Sequence, residues 1–354
     1  MAINERTGVS LRASNSFGVE ARAARLIEVE DAGDLAALAE HLRDGPAPLV
    51  LGGGSNILFT RDPPMPVVRI AVPGRRLLAD DARGVLVEGG AGEPWHDFVQ
   101  WTLAQGLAGL ENLSLIPGTV GASPIQNIGA YGVEMRERFD SLDAVSLRDG
   151  TRRRFDVAEC GFGYRDSVFR HEEGRGWAIV AVRFRLAREA PLHLDYGEIR
   201  EELRAQGIAR PAAHDVARAV CAIRRRKLPD PAVLGNAGSF FRNPIVDAAV
   251  ADALATREPG LPRFPVAPSG AHGSVRASTE DSRPAVKLSA GWLIERCGWK
   301  GHREGDAGVH ERHALVLVNH GSASGAQIAA LAERIAESVH DRFGVVLEPE
   351  PTIV

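Results

Sequence analysis

The chain has 354 residues, a formal net charge of −4, and apolar and charged fractions of 44% and 25%. This is the composition of a folded globular protein, long enough for about two or three domains. The charge gives no sign of a nucleic-acid partner, and no stretch approaches the ~20 consecutive apolar residues of a membrane span.

The opening MAINERTGVSLRAS lacks the apolar core of a secretory signal. Order is expected to begin near Ser16–Glu20. Asp34–Arg43 is predicted as an amphipathic helix, because Leu35, Leu38 and Leu42 fall at i, i+3 and i+7. An apolar strand then runs into Gly52, Gly53 and Gly54, followed by Ser55 and Asn56. Consecutive glycine N–H groups can form a nest for phosphates, but the run is equally readable as a plain tight turn. It is neither a P-loop nor GxGxxG. Strands are predicted at Val67–Ile70 and Val85–Glu88. A helix follows from Pro94 to Gln105, with Trp95, Phe98, Val99, Thr102 and Leu103 on one face and Gly106 as its stop.

Leu113–Glu134, LSLIPGTVGASPIQNIGAYGVE, is too interrupted by Gly and Pro for a long helix. Its glycines let a ligand approach the main chain, and Thr119, Ser123, Gln126 and Asn127 supply hydrogen-bonding groups. The segment reads either as a wall against a bulky polar ligand or as a surface loop of several turns. Leu142–Leu147 is a strand candidate. Trp177–Leu186 alternates, with Val180, Val182, Phe184 and Leu186 against Ala181, Arg183 and Arg185, which predicts a strand with one face buried. No βαβ unit carries a Rossmann fingerprint, so an α+β arrangement is expected.

Around 187–212 the chain turns proline- and charge-rich, and a first domain is expected to end there. Asp215–Arg226 is predicted helical with Val216, Val220 and Ile223 inward. Its basic end, RRRKLPDP, either complements the helix C-terminus or forms a cationic edge for a phosphate. Gly235–Val246 is a second polar, glycine-bearing segment. Leu261–Pro284 reads as a loop, Lys287–Gly301 as a short helix and Leu315–Asn319 as a strand. Gln327–Phe343 is predicted as a helix ended by Gly344, and Val345–Leu347 as a strand leading into EPEPTIV. Cys160, Cys221 and Cys297 form no CxxC or zinc spacing and suit a reducing cytosol.

The strings LGGGSN, GLENLSLIPGTVGASPIQNIGAYGVE, FGYRDSVF, DYGE, RKLPDP, GNAGSFFRNP, KLSAGWLIERCG, HALVLVN and LEPE occur in this order from Phe17 to Glu350. In this the chain resembles the UDP-N-acetylenolpyruvoylglucosamine reductases (MurB), flavoenzymes of peptidoglycan synthesis. The LDYGEI segment is similar to the branch that closes a tyrosine over its substrate. The resemblance implies an α+β protein of two domains. Residues 17–189 would be a FAD-binding domain of the PCMH/vanillyl-alcohol-oxidase type. Residues 190–354 would bind substrate, with the C-terminal strand returning to the active site. It implies a cytoplasmic monomer acting on NADPH and UDP-N-acetylglucosamine enolpyruvate, with FAD bound and with no nucleic-acid, membrane or metal partner. The product would be UDP-N-acetylmuramate, with hydride from flavin N5.

The family pattern carries roles onto particular residues. Arg165 would stabilise the enolate that grows beside the substrate carboxylate, a task suited to an always-charged fork. Ser239 would donate the proton; in some relatives a cysteine fills this place. Glu350 matches the partner glutamate. Its rival Glu348 would face the same side of a strand, so periodicity does not separate them. FAD would lie along Leu51, Gly52, Gly53, Gly54, Ser55 and Asn56, and along Gly118, Thr119, Gly121, Ala122 and Ser123, with backbone contacts from Ile179. Tyr131, Tyr196, Lys227 and Asn243 match substrate contacts, Tyr196 and Lys227 at the diphosphate. The sequence departs from the pattern in its long 261–284 loop, in Pro351 where an apolar residue is usual, and in Thr352 where a basic residue is usual. Three other classes compete, of which a P-loop-type nucleotide hydrolase is all but excluded by the missing lysine after GGGS. An oxidase on the same flavin fold is disfavoured by GNAGSFFRNP and KLPDP. A non-catalytic nucleotide-sugar binder is disfavoured by arginine, serine and glutamate standing together at the matched places.

Overall fold

The computed structural model describes residues 4–196, 198–266 and 284–354. They form two compact units. One comprises residues 4–9, Ala23–Gly54 and Pro63–Arg226; the other comprises Ser10–Arg22, Ser55–Asp62 and Lys227–Val354.

The first unit is built on a five-stranded antiparallel sheet. Its spatial order is Arg152–Asp156, Phe139–Ser146, Trp177–Leu186, Gly84–Gly90 and Arg75–Asp81. One face carries the main apolar core, where Val85, Val87, Leu142, Val182 and Phe184 meet Trp95 and Phe98 of the helix Trp95–Ala104. Trp95 packs edge-on to Phe184 with centroids 5.7 Å apart. The expectation of one buried face for Trp177–Leu186 is corrected: the strand is central, and both faces are largely covered. On the second face Arg183 is 7% exposed.

The charge of Arg183 is answered across the sheet. Its Nη2 lies 2.7 Å from Glu88 Oε2, and its Nη1 donates to Asp143 Oδ1 at 3.1 Å. Arg76 Nε donates to Glu88 at 3.0 Å and Arg154 Nε to Asp143 at 2.8 Å. Each of the five strands thus contributes one charge, and the signs alternate from edge to edge. Two of these strands, Arg75–Asp81 and Arg152–Asp156, were not foreseen. Both are exposed edges with little apolar alternation.

A second layer consists of the strands Asn4–Ser10, Arg22–Val29, Val67–Ile70 and Leu49–Leu51 in that order, the last three parallel. Order therefore begins before Ser16. The helix Leu35–Leu42 packs its leucines on Ile27, Val29, Val68 and Ile70, as its spacing predicts. The stretch around 187–212 contains the helix Ile199–Ala205. Its Ile199 and Leu203 join Val216, Val220 and Ile223 of the helix Ala213–Lys227.

In the second unit the helix Gly325–Phe343 buries Ile328, Leu331, Ile335 and Val339 and ends at Gly344 (φ +69°), the predicted stop. A four-stranded sheet runs in the order Gly235–Ser239, Val316–Asn319, Ala307–Val309, Arg303–Glu304. A three-stranded sheet joins Ile245–Asp247, Ala285–Leu288 and Arg263–Pro265. The predicted helix Lys287–Gly301 is corrected to a strand ending at Leu288 and a shorter helix, Ala290–Arg296, whose N-cap Ser289 accepts from the Trp292 N–H. Among the described residues Val345–Leu347 has no strand partner; the last described strand is Thr352–Ile353, parallel to Ile57–Leu58. Of the predicted loop 261–284, residues 267–283 lie outside the described residues, and Arg263–Pro265 is a strand. Among the described residues no helix is long and apolar enough to cross a membrane.

Burial pushes the Asp143 carboxyl up, but hydrogen bonds and charges from Arg183 and Arg154 more than reverse this and hold its pKa at about 2. An unfolded aspartate titrates near ~3.9, so its folded value is depressed. Its stabilisation is complete above that pH and is lost as pH falls toward the folded value. Asp143→Asn is expected to lower unfolding free energy by about 2 kcal/mol at neutral pH, measured by urea denaturation. The gap to wild type should narrow below about pH 4. A gap unchanged across that range would mean that Asp143 is not the group responsible.

Candidate functional site

In the first unit the glycine turn after the strand Leu49–Leu51 lies against the 118–122 segment. A Cβ on Gly53 would stand 3.2 Å from the Gly118 Cα, so only glycine allows this approach without displacement. Main-chain bonds fix the second segment: Trp95 N donates to Gly118 O at 3.0 Å, Val120 N to Glu93 O at 2.9 Å and Gly121 N to Ala91 O at 3.0 Å. Ala91 N in turn donates to Val180 O of the central strand at 2.9 Å. Gly121 is so close to Ala91 that an added Cβ would fall 2.5 Å from the Ala91 Cβ.

Two hydroxyls here, Ser114 Oγ and Thr119 Oγ1, are buried without a protein partner. Buried polar atoms ordinarily find one, so the segment fits a polar group supplied by a ligand. Together with the glycine turn, these residues suit FAD. Leu51 and Ser123 are buried, and Ser123 Oγ is spent on Val120 O at 2.7 Å. Ile179 packs its side chain into the core, and its main chain stands opposite Ala144 in the sheet ladder. Ser55 and Asn56 fall in the second unit, where Asn56 Nδ2 donates to Glu350 O at 3.3 Å and Asn56 O accepts from Thr352 N at 3.0 Å.

Among the described residues, four that are not glycine have positive φ: Leu115 (60°), Asn127 (45°), Tyr131 (51°) and Arg165 (54°). Three lie in the Leu113–Glu134 segment and the fourth in the FGYRDSVF string. Such conformations cost about 1–3 kcal/mol each and persist only where the surroundings enforce them. The enforcement is visible around Arg165. Asn127, fully buried, donates to Gly163 O and Glu134 Oε2, each at 3.0 Å, and accepts from Arg136 N at 3.1 Å. Ser167 Oγ donates to Ile125 O at 2.6 Å. The Arg165 guanidinium itself donates from Nη2 to Gly129 O at 2.7 Å. Sequence reasoning named Asn127 only as a polar residue; its part in seating the GYRDS turn has no periodic signal.

Tyr131 and Tyr196 meet edge-to-face with centroids 6.3 Å apart. Burial raises the Tyr131 phenol above its usual range. Arg224, which sequence reasoning passed over, donates from Nε to Leu115 O at 3.2 Å, and burial lowers its pKa. It adds positive charge near Tyr131 and Arg165. Its signal was available in the RRRK run, where it is the arginine next to inward-facing Ile223.

In the second unit Ser239 ends the strand Gly235–Ser239, half-buried, just after a register shift beside Val316. Asn236, 2% exposed, shapes this end by accepting from Gly238 N at 2.9 Å. Glu350 N donates to Phe240 O at 2.8 Å, which brings the glutamate backbone to the residue next to Ser239. Glu348, the rival, has a 72% exposed side chain whose nearest cation is Arg242 at 3.9 Å. Glu348 is also tied through its backbone, its carbonyl accepting from Arg242 N at 3.0 Å, so the two glutamates differ in side-chain exposure.

Asn243 Oδ1 accepts from Ala290 N at 3.0 Å at the start of a helix, a structural bond that leaves its amide nitrogen for a ligand. Lys227 is exposed, and the nearby His313 was also missed. Burial pushes the His313 imidazole down, with His310 and Lys227 adding to the effect, and its Nδ1 is buried without a protein partner. No cluster of potential metal ligands occurs among the described residues.

Comparison with known proteins agrees with this arrangement. Residues 23–156 match a family model described as a FAD binding domain. Residues 230–354 match the model of the UDP-N-acetylenolpyruvoylglucosamine reductase C-terminal domain. The chain is 55% identical over 354 residues to the UDP-N-acetylenolpyruvoylglucosamine reductase of Pseudomonas aeruginosa, covering 100% of both chains. It is 55% identical over 357 residues to that of Chromobacterium violaceum, again covering 100% of both. Among solved structures, MurB from Thermus caldophilus matches with a TM-score of 0.64 and 25% identity, covering 100% of this chain and 99% of that one.

Gly121→Ala is expected to push the 118–122 segment off Ala91 and to release flavin. The purified variant should carry a smaller visible flavin absorbance relative to protein and bind added FAD about tenfold more weakly, a loss of ~1.4 kcal/mol. Full flavin content would mean that this segment is not the cradle.

Proposed function

The chain belongs to the UDP-N-acetylenolpyruvoylglucosamine reductase family, and we propose from that premise that it reduces UDP-N-acetylglucosamine enolpyruvate to UDP-N-acetylmuramate with NADPH, a step of peptidoglycan precursor synthesis. The observation that carries the assignment is full-length similarity at 55% identity to named reductases. The fold is a FAD-binding domain of the PCMH type with a C-terminal α+β domain. We take residues 17–189 to serve FAD and 190–354 to serve the substrate; in the fold, residues 190–226 belong to the first compact unit. When bound, FAD supplies hydride transfer between NADPH and the substrate.

The protein's own task is to hold the substrate and manage charge and protons. Negative charge develops beside the substrate carboxylate. Arg165 meets it with a guanidinium already oriented by Gly129 O, so little reorganisation accompanies the reaction. Ser239 delivers a proton to the carbon next to the carboxylate. A serine hydroxyl is a weak acid, and it serves here because the developing enolate is strongly basic and Glu350 shares in the proton movement. Tyr131, Tyr196, Lys227 and Asn243 hold the UDP-sugar, with Lys227 giving charge to the diphosphate. The enzyme acts in the cytoplasm as a monomer on small molecules alone. The net charge of −4 gives no sign of a nucleic-acid partner.

Ser239→Ala is expected to leave bleaching of the flavin by NADPH within about threefold of wild type under anaerobic conditions. Return of the flavin band on adding the enolpyruvyl substrate should slow by about a hundredfold or more. Equal slowing of both half-reactions would remove Ser239 from the proton step. A wild-type protein that bleaches with NADPH and recovers with oxygen, but never with the enolpyruvyl substrate, would sink the substrate assignment.

A further inference from the structure

Trp95 and His96 open the helix Trp95–Ala104, and both reach the 113–118 segment. Trp95 Nε1 donates to Leu113 O at 2.9 Å and Trp95 N to Gly118 O at 3.0 Å. Between these two ties, His96 Nδ1 accepts from Leu115 N at 3.0 Å. The Leu115 carbonyl accepts from Arg224 Nε at 3.2 Å. Leu115 is therefore held at both of its main-chain polar groups, at φ +60°, a conformation that a leucine rarely adopts. Ser114 directly before it and Thr119 shortly after carry the two hydroxyls buried without a protein partner.

Nδ1 can accept a main-chain N–H only through its lone pair. The imidazole is then neutral with its proton on Nε2, because imidazolium carries a hydrogen on both nitrogens. The surroundings of His96 favour that state. The side chain is half-buried, and burial lowers its pKa from the ordinary histidine value. Asp97 on its own helix opposes the shift, while Arg225 and Arg224 of the helix Ala213–Lys227 add to it. A further cation, Arg75 of the edge strand, reaches the same turn and donates from Nη1 to Asp97 O at 3.2 Å.

We propose that His96 is a positioning residue for FAD: its neutral imidazole holds Leu115 left-handed and so places Ser114 and Thr119 for the cofactor, and its protonation releases the segment. The inference rests on the reading of the 118–122 segment as the cofactor cradle. One bond matters here because of the strain at Leu115, which persists only while the surroundings enforce it. The folded protein favours the neutral ring. The hold is therefore complete above the ordinary histidine range, ~6.5, and is lost as pH falls through the lower folded value.

The test dilutes FAD-loaded protein and follows released flavin by its fluorescence, a readout that needs no turnover. Wild type is expected to hold FAD about tenfold more weakly at about pH 5 than at about pH 7.5. His96→Phe keeps a ring and removes the acceptor. It should hold FAD about tenfold more weakly than wild type at about pH 7.5, with less than about threefold further change down to about pH 5. His96→Asn offers an acceptor oxygen near the place of Nδ1 that does not titrate in this range. It should hold FAD within about threefold of wild type at about pH 7.5 and lose the weakening at low pH. Wild-type affinity in His96→Phe would overturn the proposal. So would a pH dependence that survives in His96→Asn, or an asparagine variant as weak as the phenylalanine one. If His96→Phe does not fold, the pH profiles of wild type and His96→Asn carry the test. Full flavin content in Gly121→Ala would bring down the cradle and this inference together. Loss of flavin from Gly121→Ala beside an unaffected His96→Phe would bring down this inference alone.

Discussion

A guanidinium buried in the middle of a sheet must be neutralised where it stands, and Arg183 constrains the first unit accordingly. Left alone, a charge in that position would be too costly to keep. It is met by Glu88 at 2.7 Å on one neighbouring strand and by Asp143 at 3.1 Å on the other. Those carboxylates are balanced in turn by Arg76 and Arg154 from the two edges. A slip of one residue in any of these pairings would turn a charge toward the apolar face, so the ladder fixes register as well as charge. The same central strand fixes the candidate cofactor segment, since Val180 O accepts from Ala91 N and Ala91 O accepts from Gly121 N. Register in the sheet therefore becomes placement in the site through two main-chain bonds.

Rigid placement also accounts for where the backbone is strained. Leu115, Asn127, Tyr131 and Arg165 take left-handed conformations, which of these four side chains only asparagine adopts readily. Each is tied down nearby: Leu115 by His96 and Arg224, Asn127 by three hydrogen bonds of its side chain, Tyr131 through its carbonyl, and Arg165 through its guanidinium. The ties combine main-chain groups with buried amides and guanidinium groups. Strain of this kind is kept by surroundings that over-determine it, and the buried amides of Asn112 and Asn127 are a large part of those surroundings.

The sequence made legible what depends on local period. The leucine spacing of 35–42, the apolar face of Trp95–Thr102 and the Gly344 stop all follow from residues a few positions apart. It did not disclose what depends on distant partners. Arg183 reads as the solvent side of an alternating strand, yet it is buried because carboxylates from two other strands reach it. KLSAGWLIERCG reads as one helix, but Ala285–Leu288 is drawn into a sheet by Ile245–Asp247 and Arg263–Pro265. Arg165, Ser239 and Glu350 could be named only through resemblance to a family, since an arginine in a turn, a serine after glycine and a glutamate near a chain end carry no periodic signal. Asn112 was within a quoted motif, yet its two hydrogen bonds were invisible there, because no pattern in the chain brings the carbonyls at 131 and 193 together.

The second unit places its reactive groups by different means. Ser239 and Glu350 are related by the Phe240 carbonyl, which accepts from Glu350 N at 2.8 Å, while Phe240 N donates to Leu315 O at 2.7 Å. These are main-chain bonds, so the spacing between the two positions does not depend on the side chain at either. That matters for a group asked to give a proton. A hydroxyl and a thiol differ in acidity and size, yet a position set by the backbone can carry either without moving its neighbour. Arg165 is the contrasting case, because its task depends on the reach and fork of one particular side chain and its left-handed backbone is part of how that side chain is aimed. On the proposed roles, the proton donor can therefore vary in kind while the guanidinium cannot, a difference that follows from how each is held.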